Sequence, residues 1–228
     1  MPSLARYIET LVVATTNRGK LEELRALAAD LPIVVRATTE VMAEPLSVEE
    51  DGATFAENAR KKACAVSRAT MMTTLADDSG LEVDALAGGP GVRSARFAHP
   101  RATDAENNAA LLSALEAVGQ PDSDGGYRGR FRCALALVDP FANGGAPQVA
   151  EGTCEGTVVR SPRGSGGFGY DSLLVVDGTQ KTMAELDASE KNRLSHRARA
   201  FAALRPAINR VLFERAAQIA HVPRETPR

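Results

Sequence analysis

The chain has 228 residues, 44% of them hydrophobic and 25% charged, with a formal net charge of −2. That is enough chain for a substantial core, but it gives no global basic field to draw in nucleic acid or a membrane surface, so an anionic ligand must be met by local positive charge. Aromatic residues make up only 4%, with no Trp, which excludes a stacking platform for single strands. The three scattered cysteines (Cys64, Cys133, Cys154) suit reduced thiols in a cytosol better than a disulfide framework or a zinc site.

No apolar run approaches membrane-spanning length, and the first residues lack a basic region followed by an apolar core. A single domain over 1–228 is expected, with 1–9 a leader and 221–228 a frayed tail. Leu11 to Ala14 reads as a buried strand. Thr15, Thr16, Asn17, Arg18, Gly19 and Lys20 follow, then a helical pattern with Leu21, Leu24, Leu27 and Ala28 on one face. Unpaired amides at a helix start favour anions, and Lys20 adds a point charge. The loop lacks the Gly-x-x-x-x-Gly-Lys-Ser/Thr spacing, so a capped helix with a surface lysine explains it equally well.

Ile33 to Ala37 reads as a second strand. Residues 43–52 are acidic and turn-rich, with Glu44, Glu49, Glu50 and Asp51. Ala53 to Ala69 reads as a helix with Phe55, Ala59, Ala63 and Val66 inward, carrying Lys61 and Lys62. Apolar runs from Met71 to Ala76 and from Leu81 to Leu86 flank Asp77, Asp78, Ser79 and Gly80. Asp and Gly are poor strand residues, so a break between two strands is expected here. Adjacent carboxylates repel unless a hard cation sits between them and other oxygen ligands. Ser79 is placed to hold an oxyanion, and Gly80 lets the backbone approach a ligand. The competing reading is an acidic solvated turn.

Ala87 to Gly91 is a turn cluster, Thr103 to Val118 a helix, and 122–126 a loop tip. Strands over 130–139 and 149–160 form an antiparallel pair. The glycine-rich stretch from Gly164 to Asp171 offers flat faces at Phe168 and Tyr170 and an acceptor at Asp171, suited to a purine; alternatively its aromatics pack into the core. Leu173 to Val176 is a short strand. Ser189 to Leu204 is a helix, and Pro206 opens a last one reaching about Ala220. In a straight helix Lys191, His196 and Arg197 do not share a face, so either a helix starts near Ser195 or Lys191 reaches elsewhere. His99 and His221 read as surface histidines. Strands and helices mix without strict alternation, which predicts an α/β protein with a mixed sheet.

Three groups of segments, in order, resemble the inosine triphosphate pyrophosphatase family. Thr15 to Lys20 is similar to its Ser/Thr-x-Asn-x-x-Lys loop. Ala76 to Leu86, with Gly89 to Val92 and Ser94 to Arg96, is similar to its central motif. Gly166 to Asp171, with Lys181 to Leu186 and Glu190 to Arg197, is similar to its C-terminal signature. The resemblance spans about residues 10–205. It implies an elongated mixed central sheet flanked by helices, two lobes with a cleft between them, a homodimer, and Mg²⁺-dependent cleavage of ITP, dITP and XTP to monophosphate and pyrophosphate. Carried over by position, Thr15, Thr16, Asn17, Arg18, Gly19, Lys20, Ser79, Phe168, Gly169, Tyr170, Asp171, Lys191, His196 and Arg197 contact substrate. Lys62 binds phosphate, and Asp78 is metal ligand and proton acceptor. Glu50 is a second metal ligand, with Glu49 the alternative. Ser172 stands where the family usually has Pro, residues 122–127 look rearranged, and both termini are longer than typical. Two other readings stand beside this one. The first is a Maf-type nucleotide pyrophosphatase, against which the Phe-Gly-Tyr-Asp and Ser-His-Arg segments argue. The second is a non-catalytic nucleotide-binding regulator, which would not need Asp78.

Overall fold

A computed structural model describes residues 8–44, 46–119, 121 and 125–220. In chain order these form β1 (Glu9–Ala14), α1 (Arg18–Leu27), β2 (Ile33–Ala37), α2 (Thr38–Val41), α3 (Phe55–Thr70), β3 (Thr74–Val83), α4 (Asp104–Val118), β4 (Tyr127–Val138), β5 (Gln148–Val158), β6 (Leu174–Val176), α5 (Ala188–Leu194) and α6 (His196–Ala220). The strands make one sheet in the order β2-β1-β3-β4-β5-β6. β2, β1 and β3 run parallel, and β3 to β6 pair antiparallel. The mixed sheet expected from the element pattern is therefore present. The termini beyond 8 and 220, His221 and the tip at 122–124 lie outside the described residues.

Period-two alternation sorts the strand side chains into two faces. Leu11, Val13, Leu75 and Leu135 pack under α1 and α6, against Leu24, Phe201 and Leu204. Val12, Ala14, Ala76, Ala134 and Ala136 face α3, and these mostly small residues meet Ala59, Ala63 and Val66. Further along β3, Leu81 and Val83 enter a separate core with Phe131, Leu111, Leu115, Tyr170 and Leu173. Along one face of β3 the side chains thus run Leu75, Asp77, Ser79, Leu81. The polar pair falls between two apolar cores, and the cleft opens there.

The structure corrects the expected break at residues 77–80. β3 is continuous, and Asp77, Asp78, Ser79 and Gly80 pair with Leu135, Ala134, Cys133 and Arg132 of β4. Weak local strand preference is overridden by a full ladder and by tertiary partners for the acids. Alternation sends Asp77 and Asp78 to opposite faces, so they do not share one cation. Gly80 is needed for close approach: a β-carbon there would lie 2.3 Å from Ser94 Oγ.

Two helix boundaries also differ. The helix expected over Ser189–Leu204 is split at Ser195, which is extended (ψ 155°) and C-caps α5. Pro206 does not open a helix but sits inside α6. It is tolerated because Pro206 and Ala202, whose carbonyl loses its i+4 donor, are both exposed to solvent. The four-residue α2 was not anticipated.

Candidate active site

β1 pairs with β3 only from Val12 to Ala14, opposite Thr74 to Ala76. Its other neighbour is β2, so the chain leaves the carboxyl end of β1 where the connections diverge to both sides. Crevices at such points are common ligand sites in α/β sheets. Here the loop from Thr15 to Lys20 turns past the segment of β3 that carries Asp77 and Asp78. Asn17 caps α1, its Oδ1 accepting from Lys20 N at 3.0 Å, an interaction worth about 1 kcal/mol. Asn17 N in turn donates to Thr15 Oγ1 at 3.1 Å. Thr16 and Arg18 are exposed, and the cleft lining takes Asn17 and Lys20 from this loop.

Asp77 is the buried anchor of the site. Its Oδ1 meets Lys20 Nζ at 2.7 Å and accepts from Ser79 Oγ at 2.8 Å; its Oδ2 accepts from Arg197 Nε at 2.8 Å and from the Cys133 thiol at 3.1 Å. Burial alone would raise this carboxyl's pKa, but Arg197 and Lys20 outweigh it and hold the group well below the usual carboxylate range. The same carboxylate raises the Cys133 thiol, although burial is the larger cause.

Arg197 is fully buried and every nitrogen of its guanidinium donates: Nε to Asp77, Nη2 to Ser79 Oγ at 3.0 Å, and Nη1 to Glu23. Glu23 also pairs with Lys191 at 2.6 Å, and Lys191 reaches Asp171 Oδ2 at 2.7 Å. Burial works against the Lys191 charge, but Asp171 and Glu23 raise its pKa. Asp171 is raised by burial despite Lys191. The ring of Phe168 lies 5.1 Å from Lys191 Nζ and 5.6 Å from Arg197 Cζ, within cation–π range. Tyr170 is buried rather than free: its hydroxyl donates to Ser94 O at 2.8 Å, and burial raises its pKa. Between the two aromatic residues, Phe168 is the one left half-buried.

The break at Ser195 lets α6 begin on His196 and aim it into the cleft. His196 stacks on Phe131 with ring centroids 4.9 Å apart, and its Nδ1 is buried without a hydrogen-bond partner. Burial, reinforced by Arg197, holds its pKa well below the usual value, so the imidazole is neutral. An unsatisfied buried polar atom costs about 1–3 kcal/mol, which a ligand group can recover.

Asp78 lies on the other face of β3. Its Oδ2 accepts from Asn58 Nδ2 at 3.1 Å and its Oδ1 from Lys62 Nζ at 3.1 Å; the same ammonium donates to Glu50 Oε2 at 2.9 Å. Burial lowers and the two acids raise the Lys62 pKa, with a net increase. Burial raises Asp78; Glu50, also pushed up by burial, ends below its usual value because Lys62 outweighs it. Lys20 acts electrostatically on both, which links this group to the cleft around the open edge of β3. Arg96 Nη2 fixes the acidic segment by donating to Glu50 O at 2.8 Å, whereas Glu49 is exposed.

Asp78 and Glu50 offer hard oxygen donors around one cationic position. Among the described residues no group of three or more His, Cys, Asp or Glu could hold a metal ion. A cation here would therefore complete its shell with water and phosphate oxygens. That is the habit of Mg²⁺, which keeps several waters and takes one or two carboxylates, and the residues fit it.

Residues that sequence reasoning missed are Glu23, Asn58, Arg96 and Phe131, together with Asp77 in its role as anchor. Glu23 carried a usable signal, since it follows Lys20 by three residues and shares its helix face. The contacts that place Asn58, Arg96 and Asp77 in the site, with Asp78, Glu50 and Arg197 in turn, span 20 to 120 residues of chain, beyond any local pattern.

The model of the Ham1 family matches residues 11–207. A dITP/XTP pyrophosphatase of Desulforamulus reducens is 47% identical over 201 residues, covering 88% of this chain and 96% of that protein. One from Geobacter sulfurreducens is 48% identical over 195 residues, covering 86% and 94%. Among solved structures, a HAM1 protein from Coxiella burnetii superposes with a TM-score of 0.77 at 41% identity, covering 89% of this chain and all (100%) of that one.

Proposed function

The chain belongs to the Ham1 family, and from that premise we propose that its cleft binds ITP, dITP or XTP and hydrolyses it to the monophosphate and pyrophosphate. The observation that carries the reading is the unpartnered Nδ1 of His196, buried in a cleft that Lys20 also lines. A polyanionic chain lies toward Lys20 and Lys62, with Thr15 to Lys20 and Ser79 around it. The purine lies toward Phe168, His196 and Asp171, with Gly169, Tyr170, Lys191 and Arg197 shaping its seat.

With its single proton on Nδ1, neutral His196 donates to the 6-keto oxygen, because the nitrogens of Arg197 are already engaged. With adenine a donor would face a donor, a mismatch worth about 1–3 kcal/mol. Lys62 leaves its two carboxylates for the incoming phosphates, which frees Asp78 Oδ1. Asn58 holds the other oxygen, and Asp78 accepts the proton of the attacking water. Asp78 and Glu50 would hold Mg²⁺, which would supply Lewis-acid charge for activating water and screening the triphosphate. Lys20 and Lys62 offset negative charge as it develops. No covalent nucleophile is required. The enzyme acts as a cytoplasmic homodimer on the free nucleotide pool, with no nucleic-acid or membrane partner. No helix among the described residues is long and apolar enough to cross a membrane.

The test is pyrophosphate release from ITP, XTP, GTP, ATP and UTP, each with and without Mg²⁺. ITP and XTP are expected to turn over fastest, and only with the metal. Comparable rates on ATP and ITP would reject the base-selection account.

A further inference from the structure

The glycine-rich loop that carries Phe168 is held by α4, whose Asp104 also lines the cleft. Gly169 N donates to Asp104 Oδ2 at 2.7 Å, and Gly169 O accepts from Asn108 Nδ2 at 3.1 Å. Asp104 and Asn108 are one helical turn apart, so their side chains rise from the same face. Both polar groups of one residue are therefore held by a single rigid element. That element is itself fixed at its start by Thr103 and Glu106, each capping the other's backbone amide.

The loop has reason to need such a grip. Gly167 has φ +75° and Gly169 φ +59°. Glycine populates that region and many others freely, so backbone preference alone does not select this shape. Within the loop, Phe168 N donates to Asp171 Oδ2 at 3.1 Å, and Tyr170 is tied to Ser94. Gly169 sits between those two ties, next to the ring that lies over Lys191 and Arg197.

We infer that Asp104 and Asn108 are positioning residues for the purine end: they hold the Phe168 loop in its binding shape before substrate arrives. This rests on the functional reading above, since it takes the loop as the purine seat. If the competent loop is only a fraction of the free population, apparent affinity falls by that fraction. Loss of the clamp should therefore appear in KM and leave kcat nearly alone. The proton acceptor proposed above, Asp78, is on the opposite face of β3.

The experiment measures ITP hydrolysis, IMP binding by calorimetry and amide exchange at Gly169 by NMR in the full chain. Asn108→Leu removes the donor at similar size and is expected to raise KM about fivefold to tenfold, the worth of one hydrogen bond, with kcat within twofold. Asn108→Asp keeps the shape but sets an acceptor against the Gly169 carbonyl, so its KM should rise at least as far. Asp104→Ala should raise KM about fivefold and speed exchange at the Gly169 amide by a similar factor, whereas Asp104→Asn retains an acceptor and should restore both. IMP affinity should fall in parallel with the rise in KM.

Wild-type KM in Asn108→Leu and Asp104→Ala would overturn the inference. So would a fall in kcat at constant KM, or an Asn108→Asp enzyme better than Asn108→Leu. If the Asn108 variants do not fold, the exposed Asp104 pair decides the matter alone. A wild-type chain that neither hydrolyses ITP nor binds IMP would sink the functional reading instead. Gly169 exchange would then still report whether the clamp exists.

Discussion

A β-carbon added at Gly19 would stand 2.3 Å from Cδ1 of Phe168 and 2.6 Å from its Cε1. The loop that opens α1 and the loop proposed to seat the purine thus touch across a missing side chain. Gly19→Ala must push the ring off Lys191 and Arg197. Overpacking of this kind costs about 1–3 kcal/mol, so KM for ITP should rise about fivefold or more. Gly19 lies inside a helix, where Ala is intrinsically favoured by up to about 1 kcal/mol. That gain offsets only part of the overpacking cost, so stability to urea should fall by less than affinity does. A variant that loses both equally would place the damage in the fold rather than at the ring.

Asp77 joins elements that are far apart in the chain, and its removal strands two cations. Asp77→Ala leaves Lys20 and the fully buried Arg197 without their shared counter-charge. Breaking one side of a buried ion pair typically costs about 3–5 kcal/mol. Urea denaturation should show a loss of that size with an unchanged m-value. A loss below about 1 kcal/mol would mean that water or Glu23 replaces the carboxylate, and would remove Asp77 as anchor.

The same carboxylate marks the limit of what the chain discloses in linear form. Apolar periodicity placed β1, β2, α1, α3, α4 and the β4–β5 pair within a few residues, because each buries a stripe visible in a short window. It failed at β3, where Asp77 to Gly80 look like a turn. Their strand state depends on partners at residues 20, 133 and 197. The clash of faces among Lys191, His196 and Arg197 was legible, and Ser195 resolves it by ending one helix and letting the next begin. The opposite orientation of Asp77 and Asp78 follows from alternation alone, but only once the strand is known. Pro206 misled because a helix interior tolerates proline where the freed carbonyl faces water.

The thiols should separate by burial. Cys133 and Cys154 are buried, and burial raises the Cys154 pKa to about 11. Cys64 on α3 is only partly covered. Alkylation at pH 8 should label Cys64 first, with the other two reacting only in denaturant, as read by mass spectrometry of the peptides. Fast labelling of Cys133 in the folded protein would contradict its thiol-to-Asp77 hydrogen bond.

Acid should loosen α4 before it unfolds the core. Glu106, at the helix start, has its pKa lowered to about 2, first by the Thr103 backbone amide, then by the Thr103 hydroxyl and His99. A folded value below the unfolded one means that its contribution is fully present above the unfolded value of about 4.3 and is lost as pH falls toward 2. Glu106→Ala should therefore destabilise the protein at pH 6 and make less difference near pH 2. An NMR titration of Glu106 with a midpoint near 4.5 would show that the cap does not hold in solution.

Asp78→Asn divides chemistry from binding. The amide keeps the shape of the carboxylate and can still accept from Asn58 or Lys62, while Glu50 continues to hold the Lys62 ammonium. What it loses is the capacity to take a proton and half the charge offered to a divalent ion. General-base steps contribute roughly a hundredfold to ten-thousandfold, so turnover of ITP should fall by at least about a hundredfold. IMP, bound mainly at the purine end, should keep its affinity within about threefold, well under the roughly tenfold change that 1.4 kcal/mol would bring. Chelating divalent ions from the wild type should imitate the loss of turnover, whereas chelation of Asp78→Asn should change little further. Turnover close to wild type in the variant would take proton acceptance away from Asp78. A parallel collapse of IMP binding would make its role structural, because the two faces of β3 would then be coupled through the strand itself.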